Sequence, residues 1–314
     1  MKLVITGGAG YIGTELLSVL DESITSFDIV VYDNLSRGNY NLFLSEKIKS
    51  KSIQFVQGDI LDTRKLRAVL ADADAVVHLA AKVTTPFANE DPHLFEQVNH
   101  WGSAELSYAL EGSNVKKLIY LSSLSVYGTS NEWVNFDSVP NPKTYYGISK
   151  LNGERMLTAT NPQIDKYVLR CGNVYGYSKS MRFDAVVNKF MFNAHFNHTI
   201  SIQGNGEQVR SFIHIDNVVS VLKGILFENN LEPSTYLLTD KNISIRELGE
   251  TLKQLYPFLD MIYVQQDLQL KSIKVHADCM ELLSGLYEKL ELIDELTHFK
   301  NKFSFNTSEN HILN

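Results

Sequence analysis

The sequence predicts an α/β protein built on a doubly wound, mostly parallel sheet, with a smaller, interleaved C-terminal α/β lobe. Three observations carry this expectation. Short β-branched runs alternate with amphipathic helical stretches as far as residue 170; a glycine-rich turn joins the first run to the first helical stretch; and an acidic residue closes the second run.

Taken in order, the strands are Leu3 to Thr6, Ile29 to Tyr32, Ile53 to Val56, Ala75 to Leu79, Leu118 to Leu121 and Tyr167 to Leu169. Helical segments lie between them near 11–20, 62–70, 93–111 and 145–159. Strands alternating with helices imply right-handed crossovers that place helices on both faces of a parallel sheet. After residue 171 the rhythm loosens into a Tyr/Ser/Lys-rich stretch (175–182), a helix near 184–195 and a polar turn at Gln203-Gly204-Asn205-Gly206. Asp216 is expected to cap a helix running to Phe227, and Ser244 another that begins Ile245-Arg246-Glu247 in capping-box form. The expected division assigns 1–172 and 212–240 to the sheet domain and 173–211 and 241–314 to the lobe.

Composition narrows the function classes. The 314 residues carry a net charge of -7, with 44% hydrophobic and 21% charged side chains, which excludes fibrous, disordered and disulfide-stapled proteins. An acidic balance without clustered Lys/Arg argues against nucleic acid as a partner. No apolar run approaches the ~20 residues that span a bilayer, and the stretch from Met1 to Thr6 is too short for a signal-peptide core. A cytoplasmic protein with no membrane partner is expected. Cys171 and Cys279 lack metal-type spacing and read as free thiols, and no metal is expected.

The segment Thr6-Gly7-Gly8-Ala9-Gly10-Tyr11-Ile12-Gly13 follows the first strand and opens the first helix. Glycines there permit a sharp turn, let a pyrophosphate approach the backbone, and seat the helix N-terminus against it. Asp33 falls 20 residues after Gly13, at the end of the second strand, where a carboxylate accepts hydrogen bonds from an adenosine ribose. Together these features describe a Rossmann dinucleotide site. The carboxylate repels a 2'-phosphate and so favours NAD, although Arg37 offers a guanidinium to NADP. Asp59, after the third strand, is placed to reach the adenine or to serve as a turn or cap residue.

Tyr146 and Lys150 are four apart and share one helix face. A phenol is a poor base near neutrality, but a neighbouring ammonium and a cationic nicotinamide both favour the phenolate. Ser123, closing the fifth strand, can bond the same substrate oxygen. These features, with Asp33-Asn34-Leu35-Ser36, Gly58-Asp59, His78-Leu79-Ala80-Ala81, Val126-Tyr127-Gly128, Arg170 to Gly176 and Gly204 to Ile215, resemble the extended short-chain dehydrogenase/reductases. Specifically, the chain resembles the NAD-dependent epimerase/dehydratase group that acts on nucleotide sugars, over roughly residues 1 to 255.

The resemblance implies that Tyr146 is the general acid/base, that Lys150 lowers its pKa and binds the nicotinamide ribose, and that Ser123 orients the sugar oxygen. It implies NAD contacts from Gly7, Gly10, Tyr11, Ile12, Gly13, Asp33, Asn34, Asp59, Ile60, Leu79, Ala80, Ala81, Tyr146 and Lys150. Asn173 and Arg210 resemble the residues that meet the substrate diphosphate, and Val275 the gate that sets sugar size. His78 is expected to support the strand end rather than the chemistry. Homodimerisation through helices 93–111 and 145–159 is also implied.

Two departures narrow the activity. Family dehydratases place Asp-Glu after the serine or threonine, whereas this chain has Leu124-Ser125, so elimination of water lacks its acid and base. The expected function is a nucleotide-sugar 4-epimerase, with a net 4-dehydrogenase or 4-keto reductase as the alternative and a non-catalytic NAD-binding regulator as a different class. The stretch Gln265 to Lys271 lacks the arginine of the family's diphosphate clamp, leaving Lys271 or Lys274 as substitutes and an ordinary UDP-glucose/galactose substrate in doubt.

Overall fold

The computed structural model describes residues 1–23, 28–44, 52–83, 92–128, 132–228, 231–264 and 272–303. Its first half follows the expected alternation: β1 (Lys2–Thr6), α1 (Tyr11–Ser23), β2 (Asp28–Asp33), β3 (Ile53–Gln57), α2 (Thr63–Leu70) and β4 (Ala75–His78). The next helical stretch is α3 (Pro92–Phe95), a π-helical turn (Glu96–Trp101) and α4 (Gly102–Leu110). Then come β5 (Lys117–Ser123), a 3-10 turn (Leu124–Tyr127), the short β6 (Trp133–Val134), α5 (Tyr145–Ala159) and β7 (Asp165–Cys171).

The second half holds β8 (Asn173–Tyr175), α6 (Val186–Phe196), β9 (Thr199–Gln203), β10 (Val209–His214), α7 (Ile215–Phe227), β11 (Thr235–Leu238), β12 (Lys241–Ser244) and α8 (Ile245–Leu255). It ends with β13 (Asp260–Val264), β14 (Lys274–Val275), α9 (Ala277–Glu281) and α10 (Leu292–Lys300). The main sheet has seven parallel strands in the order β11-β7-β5-β4-β1-β2-β3. Chain order reverses between β1 and β4, which opens a crevice beyond the strands' carboxyl ends, where ligands of such sheets bind. The expected doubly wound architecture is therefore present.

Apolar side chains pack on both faces of this sheet. On one face α1 and α7 bury Leu16, Leu20, Val218 and Leu222 against Ile5, Val77 and Leu169. On the other, Leu66, Leu70, Leu106, Leu110 and Leu157 pack against Val4, Val76 and Tyr120. A separate core joins α6, α8 and α10 through Met191, Leu252, Leu296 and Phe299 to β9 and β10. Smaller sheets, β12-β10-β8 and β13-β9, support that core. Among the described residues no helix is long and apolar enough to cross a membrane.

Local caps match expectation in one case and not in another. Ser244 caps α8, accepting from the Glu247 amide at 3.0 Å. Asp216 does not cap α7. The cap is His214, whose ring nitrogen accepts from the Asp216 amide at 3.3 Å, while Asp216 sits in the first turn and favours the helix dipole. β10 runs straight into the helix, which places the cap two residues earlier than composition suggests.

Leu222 is fully buried between α7 and the sheet. Replacing it with alanine should cost about 2–5 kcal/mol. The expected result is a lower urea midpoint with an unchanged slope, read by circular dichroism.

Candidate active site

The glycine turn is held by contact between backbones. Gly7, at φ +71°, donates its amide to the Tyr32 carbonyl at 2.8 Å, and a Cβ there would lie 2.5 Å from the Ala80 nitrogen. A Cβ on Gly13 would meet the Cα of Gly8, also at 2.5 Å. Gly10 bonds back to the Gly7 carbonyl at 3.1 Å, and Ile12 packs on the core beneath. The first turn of α1 carries no acidic side chain, so its free N–H groups and positive dipole end face the crevice unopposed.

Asp33 accepts from the Ala9 amide at 3.0 Å and the Leu35 amide at 2.8 Å, which aims its carboxylate at the turn. Burial raises its pKa and these two bonds pull it back. Asn34 donates to Asp59 at 2.8 Å, and the other Asp59 oxygen takes the Leu61 amide at 3.0 Å, so both side chains form a braced rim beside Asp33. The Ile60 side chain is buried in the core against Gly102. Leu79, Ala80 and Ala81 are half-buried at the end of β4. An unopposed helix N-terminus beside an aimed carboxylate fits a pyrophosphate and a ribose, the two parts of NAD that need such partners.

A strap from Gly176 to Ala185 lies across this turn. The Tyr11 hydroxyl donates to the Gly176 carbonyl at 2.6 Å, Ser178 donates to the Tyr11 carbonyl at 3.2 Å, and Thr14 donates to Ser180 at 2.9 Å. The Tyr11 ring is thus committed to the strap, which leaves its amide for a cofactor. Arg182 pairs with Asp184 at 2.8 Å, and Arg37 approaches Asp184 at 3.8 Å. The guanidinium that a 2'-phosphate would need is therefore drawn towards an acid.

The candidate catalytic side chains sit at the end of β5 and in the first turns of α5. Thr144 caps α5 by accepting from the Gly147 amide at 3.1 Å. Gly147 lets the helix approach β5, since a Cβ there would lie 2.4 Å from the Ser125 carbonyl oxygen. Tyr146 lies close enough to Ser123 for the serine hydroxyl to act on its pKa, and it packs edge-on against Phe95, ring centroids 6.0 Å apart. Burial raises the Tyr146 pKa, and the Ser123 hydroxyl and the Arg182 charge pull it only part of the way back.

Lys150 is 2% exposed, and its ammonium sits 4.4 Å from the centre of the Tyr120 ring. Burial pushes its pKa down to about 7, against the opposing pull of Glu154. His78 bonds Thr6 at 2.7 Å and Ser103 at 3.3 Å, and burial drives it down to about 3. It is a neutral brace between β1, β4 and α4, in keeping with the expected role. Burial lifts the Cys171 thiol to about 12, which removes it as a nucleophile.

Asn173 and Arg210 lie on adjacent strands, β8 and β10, where Asn173 donates to the Ser211 carbonyl at 3.0 Å. Among the described residues Arg210 has no carboxylate partner, and burial lowers its pKa, so it suits an incoming anion. Val275 is fully covered, packed with Leu124, Val126 and Cys279. The structure places it behind the residue that follows Ser123, not on an open pocket wall. The Lys274 ammonium lies 5.1 Å from the Trp133 ring centre, and Gln265 to Lys271 fall outside the described residues.

Two features escape the sequence reading. The Arg182 charge acts on Tyr146 from a strap whose path no local pattern announces. Glu154 could have been found, because it continues the spacing of Tyr146 and Lys150 by four more residues along the same helix.

Comparison with known proteins agrees with this geometry. The profile of the NAD dependent epimerase/dehydratase family matches residues 3–238. The chain is 32% identical to the UDP-glucose 4-epimerase of Mycolicibacterium smegmatis over 230 residues, 70% of this chain and 71% of that protein. It is 29% identical to the human dTDP-D-glucose 4,6-dehydratase over 262 residues, 81% and 73% of the two chains. The Bacillus cereus UDP-glucuronic acid 4-epimerase, solved with UDP-glucuronic acid and NAD, superposes with a TM-score of 0.83 at 25% identity, covering 96% of this chain and 98% of that one.

Replacing Asp33 with asparagine puts an NH2 group where a carboxylate accepts two amides. NAD affinity measured by calorimetry should fall by about tenfold or more, since charged hydrogen bonds are worth about 1.5–3 kcal/mol each. Unchanged affinity would remove Asp33 from the cofactor site.

Proposed function

The chain belongs to the NAD-dependent epimerase/dehydratase family, and from that premise we propose that it is a nucleotide-sugar 4-epimerase. One arrangement supports this reading: Ser123 at the end of β5 lies by Tyr146 on α5, with Lys150 one helical turn further along, while Leu124 and Ser125 stand where a dehydrating acid and base would be needed. Leu124 is buried in an apolar cluster and has no proton to give.

The Ser123 hydroxyl holds the sugar O4, and the Tyr146 oxygen takes its proton. Positive charge from Lys150 and Arg182 favours the phenolate over the phenol. Arg210 and Asn173 hold the diphosphate, with 173–211 and 241–314 forming the substrate lobe. When bound, NAD supplies a hydride acceptor that can also return the hydride. After the hydride leaves C4, the sugar turns about the held diphosphate, and Tyr146 gives the proton back to O4 once the other face is presented. The relatives named above act on UDP- and dTDP-sugars, and the same substrate class is proposed here. Trp101 and Tyr108 around α4, with Tyr145 and Ile148 on α5, expose apolar surface suited to a second copy of the chain.

Incubation with UDP-, GDP-, dTDP- and CDP-sugars tests the reading. The expected product has the mass of its substrate and forms without turnover of added cofactor. A product lighter by two hydrogens would make the chain a net dehydrogenase, and one lighter by a water a dehydratase. Changing Tyr146 to Phe should abolish hydride transfer and preserve NAD binding, read by absorbance of the reduced cofactor and by calorimetry. Arg210→Ala should raise KM for the sugar nucleotide by about 10- to 100-fold, the loss of one charged hydrogen bond, with a smaller effect on kcat.

A further inference from the structure

An NAD site has no evident use for Arg37. It stands four residues past Asp33, close to where a Rossmann site carries the arginine that accommodates the 2'-phosphate of NADP. The turn that holds it is tight: the Gly38 amide donates to the Leu35 carbonyl at 2.9 Å, with Leu35 at φ +57° and Gly38 at φ +66°. Asp33 in turn accepts the Leu35 amide at 2.8 Å, so Arg37 is tethered next to the ribose-reading carboxylate. Asp33 repels a 2'-phosphate and Arg37 attracts one. Local sequence leaves these two signals in conflict.

A third residue enters from the strap. Asp184 Oδ1 lies 3.8 Å from Arg37 Nη2, and Arg182 grips the same carboxylate, Nε to Oδ1 at 3.3 Å and Nη2 to Oδ2 at 2.8 Å. The strap that brings Asp184 there is pinned along its length. Asn41, just past the Arg37 turn, donates to the Lys179 carbonyl at 2.5 Å, and Thr14 on α1 donates to Ser180 at 2.9 Å. From α6 the buried Asn188 accepts the Gly176 amide and donates to the Arg182 carbonyl, both at 3.0 Å. Contacts from α1, α6 and the loop after β2 therefore set where Asp184 stands.

As a source of stability this pair counts for little, because exposed ion pairs contribute weakly and the Arg37 side chain is 44% exposed. Its position matters more for a ligand. A 2'-phosphate reaching for Arg37 would have to displace Asp184 and then remain beside two carboxylates, Asp33 and Asp184. NAD carries only a hydroxyl there and meets neither obstacle, so the cost falls on the wrong cofactor alone. Burial works against the charge on Asp184, but the Arg182 bond and charge hold its carboxyl below the usual range, so the acid stays ionised near neutrality.

We propose that Asp184 is a cofactor-specificity residue, which engages the Arg37 guanidinium from the strap and so refuses the 2'-phosphate that Arg37 would otherwise take. This rests on the cofactor reading of the glycine turn and Asp33, and not on the sugar chemistry. Its test is calorimetric titration with NAD and with NADP, which needs no sugar nucleotide. In Asp184→Asn, NADP affinity should rise by about tenfold, the worth of one charged hydrogen bond, while NAD affinity stays unchanged. Adding Arg37→Ala to that variant should cancel the gain. Asp184→Glu, which keeps the charge, should continue to reject NADP, and Asp184→Ala serves if the asparagine variant folds poorly.

Unmoved NADP affinity in a folded Asp184→Asn that still binds NAD would overturn the proposal. So would a gain that survives Arg37→Ala, or an equal loss of both cofactors, which would reduce Asp184 to a structural partner of Arg182. A gain in NADP binding by a chain that turns over no sugar nucleotide would leave this inference standing and remove the epimerase reading alone.

Discussion

The crevice is organised by backbone approaching backbone. Gly7 closes to within one missing methyl group of Ala80, and Gly13 does the same with Gly8, so β1, β4 and the start of α1 meet without intervening side chains. Any Cβ at these points would push the helix N-terminus away from the strand ends. A phosphate gains from that terminus only at hydrogen-bond range, since the dipole's effect fades within one turn. Asp33 reinforces the approach by accepting the Ala9 amide inside the turn. Cofactor geometry and fold geometry are in this sense a single constraint.

A second organising feature is charge under cover. Lys150, Glu154 and Arg170 lie beneath the ends of β5 and β7, where the dielectric is low and each charge acts strongly on its neighbours. Packing alone would favour apolar side chains at these positions. The phenol of Tyr146, made reluctant to ionise by its own burial, is drawn back by the Ser123 hydroxyl and by the Arg182 charge on the strap. The strap links this effect to the cofactor turn, because the segment that carries Arg182 is bonded to Tyr11 and Thr14.

Legibility in the sequence tracks the range of the causing interaction. The alternating strands, the glycine turn, the Ser244 cap and the Tyr146–Lys150 spacing all arise within a few residues, and all are present where expected. The strands after residue 171 are short and pair with distant partners, β10 with β8 and β12, β9 with β13, so hydrophobic alternation never runs long enough to announce them. Asp216 looks like a cap because acids often are, yet the strand before it ends at His214 and places the ring nitrogen at the helix start. Val275 has the residue type of a gate, but burial behind Leu124 is set by packing.

By itself the sequence determined the parallel sheet, the glycine turn between β1 and α1 and the single helix that carries both Tyr146 and Lys150, because strand period, turn chemistry and helical spacing are local properties of the chain. Tertiary structure alone decided how charge is distributed around Tyr146. Arg182 arrives from a strap anchored to the first helix, and Arg170 arrives from a neighbouring strand to clamp Glu154. Electrostatic interaction depends on distance and burial, and neither is written in residue spacing once the chain has crossed from one element to another.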